Sequence, residues 1–91
     1  MNDTKYIVVK PSDYEIMIIF SALTTHATMA NGYNNVISAG FVSIRTEEKD
    51  GITSPIGYCY GESSSLNLKS REVEDTVLLN RMFKFGEYKY Y

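Results

Sequence analysis

The sequence is poor in the residues that build disulfides and metal sites: it has one cysteine, one histidine and no tryptophan. A single cysteine, Cys59, excludes a disulfide within the chain and a cluster of thiolate ligands, and it fits a reducing compartment. With His26 as the one imidazole, a histidine-based metal site is nearly excluded as well. We therefore expect no metal, no cofactor and a cytoplasmic location.

An excess of positive charge is also missing, since the formal net charge is -2. Proteins that bind duplex DNA or RNA usually carry a basic excess, because neutralising phosphates dominates their affinity. Duplex nucleic acid is therefore a poor candidate partner, whereas one small anion needs only two or three local cations. The longest apolar run, Ile16–Phe20, is far shorter than the ~20 residues of a membrane span. We expect no membrane partner.

What the chain does have is tyrosine. Its 91 residues, enough for one domain spanning 1–91, include eight Tyr and four Phe. Tyrosine suits surfaces where one end of the ring is buried and the other is wet, as at protein interfaces. We take this richness as an indication of a homo-oligomer.

Two hairpins are predicted from the apolar patterns. Residues 6–10 (YIVVK) are β-branched and aromatic, which is typical of a strand. The segment 15–22 is ambiguous. Ser12 and Glu15 match a capping box and favour a helix, but the short apolar run is β-branched and favours a buried strand. We favour the strand, paired with the first as a hairpin.

The second hairpin joins residues 36–45 and 56–61 through a solvated turn at 46–53 that contains Asp50-Gly51. Gly40, inside the first of these strands, indicates a bulge or a close backbone approach. In the second strand Cys59 alternates with two tyrosines, which predicts a buried and unreactive thiol.

The last segment, 71–84, is the strongest helix prediction. Ser70 is a natural N-cap, acidic residues follow it, and Gly86 ends the helix. One apolar face is predicted from the spacing of Val73, Val77, Leu78, Met82 and Phe85. The predicted fold is α+β: a mostly antiparallel sheet of about four strands with one long C-terminal helix. The tail EYKYY could fray or lie across a partner chain.

The polar segment before this helix is the main candidate site. Hydroxyls, cations and the free N–H groups of a helix start all bind phosphate. The candidate ligands are Ser63, Ser64, Ser65, Lys69, Ser70 and Arg71. The spacing is not that of the nucleotide-triphosphate loop. The alternative interpretation is a polar connection in which Ser70 only caps the helix.

Other side chains offer further chemistry. His26 could hydrogen-bond a ligand or serve a structural role, and Tyr58 and Tyr60 could stack on a base or pad an interface. A Ser-His-Asp arrangement could be assembled from the serines, His26 and Asp75, but no G-x-S-x-G motif is present. We expect no catalysis.

Three motifs carry a family resemblance: T-H-A-T-M-A at 25–30, V-I-S-A-G-F-V at 36–42 and Y-G-E-S-S-S-L-N-L-K-S-R-E-V-E-D at 60–75. Together they resemble a family of small proteins encoded by bacteriophages and prophages, over roughly residues 24–80. E-V-E-D stands where such proteins would have a proline. The family is similar to the anti-Thoeris and anti-CBASS sponges, which sequester cyclic nucleotide or cyclic ADP-ribose immune signals.

The resemblance implies a non-enzymatic phage-type anti-defence protein that captures a small phosphorylated ligand in pockets shared between subunits. The serines, Lys69 and Arg71 would contact phosphate, and His26 with Tyr58 or Tyr60 would contact base or ribose. The alternative is an accessory protein that inhibits a host protein by direct contact, using its tyrosines and tail. We therefore expect one of these two functions and a location in the cytoplasm of the host cell.

Overall fold

The computed structural model describes residues 4–86 and 89–91 and has an α+β fold. Four strands form the body of one antiparallel sheet: β1 (Thr4–Val9), β2 (Ile16–Phe20), β3 (Val36–Lys49) and β4 (Ile52–Tyr60). The sheet order is β4-β3-β1-β2, and a short strand β7 (Lys89–Tyr90) pairs in parallel with β2. The other elements are helix α1 (His26–Ala30), hairpin β5 (Glu62–Ser63) and β6 (Leu68–Lys69), and helix α2 (Glu72–Phe85). The predicted fold class is confirmed.

The ambiguous segment 15–22 contains strand β2, Ile16–Phe20, so the favoured strand is confirmed with narrower bounds. Met17 to Phe20 are all buried because both faces of β2 are covered, which is why the run is continuously apolar. Glu15 does not close a capping box; it pairs with Arg71 across the fold. The described part of the tail, Lys89–Tyr90, lies along β2 of its own chain, and residues 87–88 are outside the described residues.

The predicted turn at 46–53 is wrong in extent. Strand pairing continues through Thr46↔Pro55 to Lys49↔Ile52, so only Asp50-Gly51 forms the turn. Both residues have positive φ, 53° and 77°. A two-residue turn of this kind matches the twist of the strands and lets pairing run up to its ends.

The sheet has two covered faces. On the helix-covered face, α2 packs against side chains that include Tyr6, Val8 and Val42. On the hairpin-covered face, α1 and the β5–β6 hairpin pack against Ile7, Ile18 and Phe20 with their partners. Covering on both sides explains how a chain of 91 residues buries most of β1 and β2, residues 6–9 and 17–20.

Gly40 approaches another backbone closely, as predicted. A Cβ there would lie 2.5 Å from the Tyr60 carbonyl oxygen, so no larger residue fits. The bulge is elsewhere: Val8 pairs with Ser38 and Val9 with Val36, which leaves Ile37 unpaired. Ile37 is the extra residue of this bulge, and its side chain packs on the helix-covered face.

The predicted apolar face of α2 is wrong for three of its five residues. Leu78 and Met82 are buried, but Val73, Val77 and Phe85 are 73%, 62% and 62% exposed. The helix is rotated about its axis relative to the prediction, because Asp75 is fully buried and accepts a hydrogen bond from Tyr6 beneath the helix. That rotation brings Leu79 into the core and moves the valines outward.

The predicted N-cap at Ser70 is also wrong. The cap position is Arg71, and the Ser70 hydroxyl lies 2.5 Å from the Tyr6 hydroxyl. Asp75 supplies the capping interaction instead, because its carboxylate accepts the backbone N–H of Arg71. Gly86 ends the helix in the left-handed conformation, as predicted.

Helix α2 closes the outer edge of β4. The Asn80 amide accepts the Gly57 N–H at 2.9 Å and donates to the Gly57 carbonyl at 2.8 Å. The Thr76 hydroxyl accepts the Cys59 N–H. These side chains take the place of a neighbouring strand, which protects an otherwise open sheet edge. Among the described helices, none has the length and hydropathy to cross a bilayer.

Candidate functional site

The serine segment is a small hairpin packed on the sheet. Leu66 and Leu68 contact the hairpin-covered face. Ser63 is buried; its hydroxyl accepts the Leu66 N–H and lies 3.3 Å from the Ser65 hydroxyl. Ser63 therefore holds the turn together. This role matches the structural interpretation for that one residue.

The other polar residues of the hairpin face outward. Ser64, Ser65 and Lys69 are exposed, and Lys69 sits opposite Glu62 in the strand pair. The Ser70 N–H donates to the Gly61 carbonyl, which joins the hairpin to the start of α2. None of these residues lines the surface cavities of about 710, 430 and 310 Å³.

Arg71 is held by two carboxylates. Its Nη2 lies 2.7 Å from Glu15 Oε1 and 2.7 Å from Asp75 Oδ1, and its Nε donates to the same Asp75 oxygen. The hydrogen bond to Glu15 is the largest cause of the raised Arg71 pKa, and it lowers the Glu15 pKa. An incoming anion would have to displace a carboxylate to reach this guanidinium.

The same network runs inward to Tyr6. Its hydroxyl lies 2.6 Å from Asp75 Oδ2 and 2.5 Å from the Ser70 hydroxyl. A phenol has one proton and a carboxylate only accepts, so Tyr6 donates to Asp75 and accepts from Ser70. Burial, followed by the Asp75 bond, raises the Tyr6 pKa far above its ordinary value. The network locks α2 onto β1, which is a structural task.

His26 is the first residue of helix α1. Thr25 caps this helix by accepting the Thr28 N–H. His26 Nε2 lies 2.7 Å from the Gly40 carbonyl oxygen, which can only accept, so Nε2 carries a proton. Burial lowers the His26 pKa. The ring is therefore neutral and turned toward the backbone of β3.

A row of aromatic rings connects His26 to the surface tyrosines. The ring centroids of Tyr58 and Tyr60 are 5.5 Å apart, and Tyr60 stacks on Phe41 at 5.9 Å. Phe41 meets His26 edge-on at 5.6 Å. The row starts at Tyr58, which is 54% exposed, and ends in the core. The structure thus brings together three of the residues chosen from sequence.

A cavity of about 430 Å³ lies beside Tyr58. Ser43 and Arg45 of β3 line it, directly across from Tyr58 and Ile56 of β4, and Thr76 and Asn80 of α2 complete the wall. Among residues 4–86 and 89–91, neither the Ser43 hydroxyl nor the Arg45 guanidinium has a hydrogen bond or an ion pair. Cation, hydroxyl and ring are therefore all available to a ligand.

Sequence reasoning missed this cavity, although a signal existed. Ser43 and Arg45 alternate onto one side of the predicted hairpin, the side that carries Tyr58 and Tyr60. Placing the turn at 46–53 put Arg45 at the end of its strand and hid this pairing. The missing information was the register, which follows from the two-residue turn.

A second and larger cavity, about 710 Å³, runs between α2 and the segment 13–16. Its walls are partly apolar, from Tyr14, Ile16 and Val77, and its charged residues are Asp13, Glu15, Glu74 and Arg81. Because carboxylates outnumber the cation here, this groove does not suit an anion.

The Ser-His-Asp arrangement considered from the sequence, with His26 and Asp75, is not formed. Asp75 is bonded to Arg71 and Tyr6, while His26 Nε2 is bonded to Gly40. Cys59 is buried, as predicted, and burial raises the pKa of its thiol to about 12. Within the described part of the chain, no group of three or more His, Cys, Asp and Glu residues could hold a metal ion.

Comparison with known proteins gives no relative: no family model, no curated protein and no solved structure matches the chain. The geometry of the cavities and of their side chains is therefore the basis for assigning a function.

Proposed function

We propose that the protein binds a small phosphorylated ligand that carries a flat ring, such as a nucleotide signal, and holds it without turnover. One observation carries the proposal: the Arg45 guanidinium, which has no partner among the described residues, lines the same cavity as the Ser43 hydroxyl and the Tyr58 ring. Arginine binds phosphate through paired, charge-assisted hydrogen bonds, and tyrosine stacks on bases. A cavity of about 430 Å³ is within the size range of small-molecule sites.

The proposal moves the phosphate contact from the serine hairpin to β3. Arg71 already has two carboxylate partners, whereas Arg45 has none among the described residues. The exposed Ser64, Ser65 and Lys69 remain candidates for a second phosphate contact. Capture without chemistry fits a sponge for a nucleotide signal, which is the function that the resemblance to phage proteins implies.

The first experiment compares three arginine variants by calorimetric titration with cyclic nucleotides and cyclic ADP-ribose. Arg45→Ala should weaken binding by about 10- to 100-fold, because a charge-assisted hydrogen bond is lost. Arg81→Ala, which removes an exposed cation from the other groove, should bind like the parent. Arg71→Ala should mainly destabilise the fold, because it leaves Asp75 buried without its cation.

Equal affinity of the Arg45→Ala variant and the parent chain would contradict the cavity as the site. To identify the ligand, protein from cells that make such signals is heated and the released molecules are weighed by mass spectrometry. An intact nucleotide supports capture, and a cleaved one indicates an enzyme.

Inhibition of a host protein by direct contact is the second candidate. Its supporting observation is the exposure of Tyr14, Tyr58 and Tyr91, at 55%, 54% and 58%. Half-exposed tyrosines are common in protein interfaces. If this function holds, the heated protein releases no nucleotide, and Tyr14→Ala and Tyr91→Ala each weaken the complex with the host protein.

A further inference from the structure

The outer side of α2 is an apolar surface that none of the described residues covers. Val73, Val77 and Phe85 are mostly exposed, and at about 100° of rotation per residue they lie within an arc of about 120°. Single exposed apolar residues are ordinary, but a cluster on one helix side next to a groove indicates an interaction surface. Val77 also lines the groove of about 710 Å³, so helix side and groove are continuous.

The charges along this surface are divided by position. Glu74 lies in the first turn of α2, Arg81 and Lys84 lie toward its end, and all three fall within the same arc as the apolar residues. A second α2 packed antiparallel would place its basic end against the acidic end of the first, and the reverse pairing would occur at the same time. A parallel partner of the same sequence would set like charges side by side, which is unfavourable.

The groove favours the same arrangement. Its lining includes the carboxylates of Asp13 and Glu74, and its walls are partly apolar. The C-terminal turn of α2 carries a cation and an apolar ring in sequence, Lys84 and Phe85, with Phe85 62% exposed. The chain therefore presents both an acidic, apolar groove and a basic, apolar segment that matches it.

We propose that this surface binds a second copy of the same chain. The two α2 helices pack antiparallel about a two-fold axis near Val77, Glu74 of each copy meets Arg81 of the other, and Phe85 of each copy enters the partner groove. This interface is separate from the Arg45 cavity, so each copy keeps its own ligand site.

The size of the surface determines the affinity that we expect for the dimer. Fourteen residues make a helix about 21 Å long. A strip of that length covers on the order of 400 Å² per copy, about half of what a standard stable interface buries. We therefore expect a dimer with a dissociation constant in the micromolar range, on the order of 10 µM.

Sedimentation velocity over a concentration series tests the proposal. The parent chain should shift from monomer to dimer around the micromolar range. Val77→Glu should remain a monomer throughout, because it places two carboxylates against each other at the axis. Leu23→Glu is the matched control: Leu23 is 96% exposed but lies in the loop before α1, so this variant should dimerise like the parent.

A charge exchange separates this interface from any other. Glu74→Arg and Arg81→Glu should each weaken the dimer by about tenfold, because every pair occurs twice in a symmetric dimer. The double variant should restore it, with circular dichroism confirming the fold of all three. A parent chain that stays monomeric would leave the surface to a different protein and overturn the proposal. A dimer insensitive to Val77→Glu, or a double variant without rescue, would also overturn it.

Discussion

Asp75 is the residue on which the polar interior depends. It has no exposed surface, yet its two oxygens accept bonds from the Arg71 side chain, the Arg71 backbone and Tyr6. A buried carboxylate is tolerated when its partners satisfy every lone pair that faces the protein. The sequence indicated only an acid in the first turn of a helix, because helix-end electrostatics explains such a residue without any tertiary partner.

Ser38 shows the opposite situation. It is fully buried on β3, and its Oγ has no hydrogen-bond partner among the described residues. Ser38→Ala removes the unsatisfied hydroxyl and keeps nearly the same volume. We expect the free energy of unfolding to rise by about 1 kcal/mol, measured by urea denaturation.

Ser63 is the matched control for this prediction. It is also buried, but its hydroxyl accepts the Leu66 N–H, so Ser63→Ala should lower the free energy of unfolding by about 1 kcal/mol. If both variants were destabilised equally, the Ser38 hydroxyl would have a partner, and this interpretation would be wrong.

At the scale of elements, the strands and the long helix were predictable because local pattern decides them. The β-branched and aromatic runs predicted β1 to β4. The acid-rich start, the apolar spacing and Gly86 predicted α2. The side of α2 that faces the sheet was not predictable from spacing. Val73 and Val77 fit an apolar face as well as Leu79 does, and the choice is made by Asp75, whose partner Tyr6 is 69 positions away.

The β5–β6 hairpin was missed for a related reason. Its strands have two residues each, too short for a period to be visible. The turn is stabilised by Ser63 and by packing of Leu66 and Leu68 on the sheet, so it is defined by tertiary contacts. A serine-rich sequence reads as a loop when those contacts are unknown.

Asn80 carries a prediction for the contact between α2 and β4. Asn80→Leu removes both hydrogen bonds to Gly57 and leaves the Gly57 N–H and carbonyl on the edge of β4 without partners. We expect a loss of about 2 kcal/mol in the free energy of unfolding, together with faster aggregation on heating. Urea denaturation and light scattering measure the two effects.

Asn34→Leu provides the comparison, because Asn34 is exposed in the loop before β3. It adds the same apolar side chain without touching a sheet edge. Equal aggregation of the two leucine variants would mean that added hydrophobicity, not the opened edge, is the cause.

At the scale of the whole molecule, acid should weaken the fold in two steps. Burial lowers the His26 pKa below its ordinary 6.5, so the unfolded chain binds the proton more readily. The stability that neutral His26 provides is complete above pH 6.5 and is lost as the pH falls toward the lowered pKa. Arg71 lowers the Glu15 pKa below 4.5, so a second loss follows at still lower pH.

His26→Gln tests the first step. The amide can still donate to the Gly40 carbonyl but does not titrate in this range. Urea denaturation between pH 7 and pH 5 should show a smaller fall in stability for the variant than for the parent chain. Parallel falls in the two proteins would assign the loss to groups other than His26.

The residues of the candidate site were predictable only where they lie close together in the sequence. Tyr58 and Tyr60 were chosen correctly as neighbours because they lie on one strand, two residues apart. Arg71 was chosen for its position at a helix start, and nothing local indicated that Glu15, 56 positions earlier, would neutralise it. Arg45 needed the register of β3 and β4, which depends on the length of one turn.

These long separations have a consequence for how the protein is made. Tyr6 forms its hydrogen bond with Asp75, and Glu15 forms its ion pair with Arg71, which comes 56 positions later. Strand β2 pairs in parallel with Lys89–Tyr90, which comes later still. Because synthesis proceeds from the N-terminus, β1 and β2 are made before any of these partners exists. The interior therefore cannot be completed until α2 has been synthesised, and the apolar side chains of β1 and β2 lack part of their cover until then.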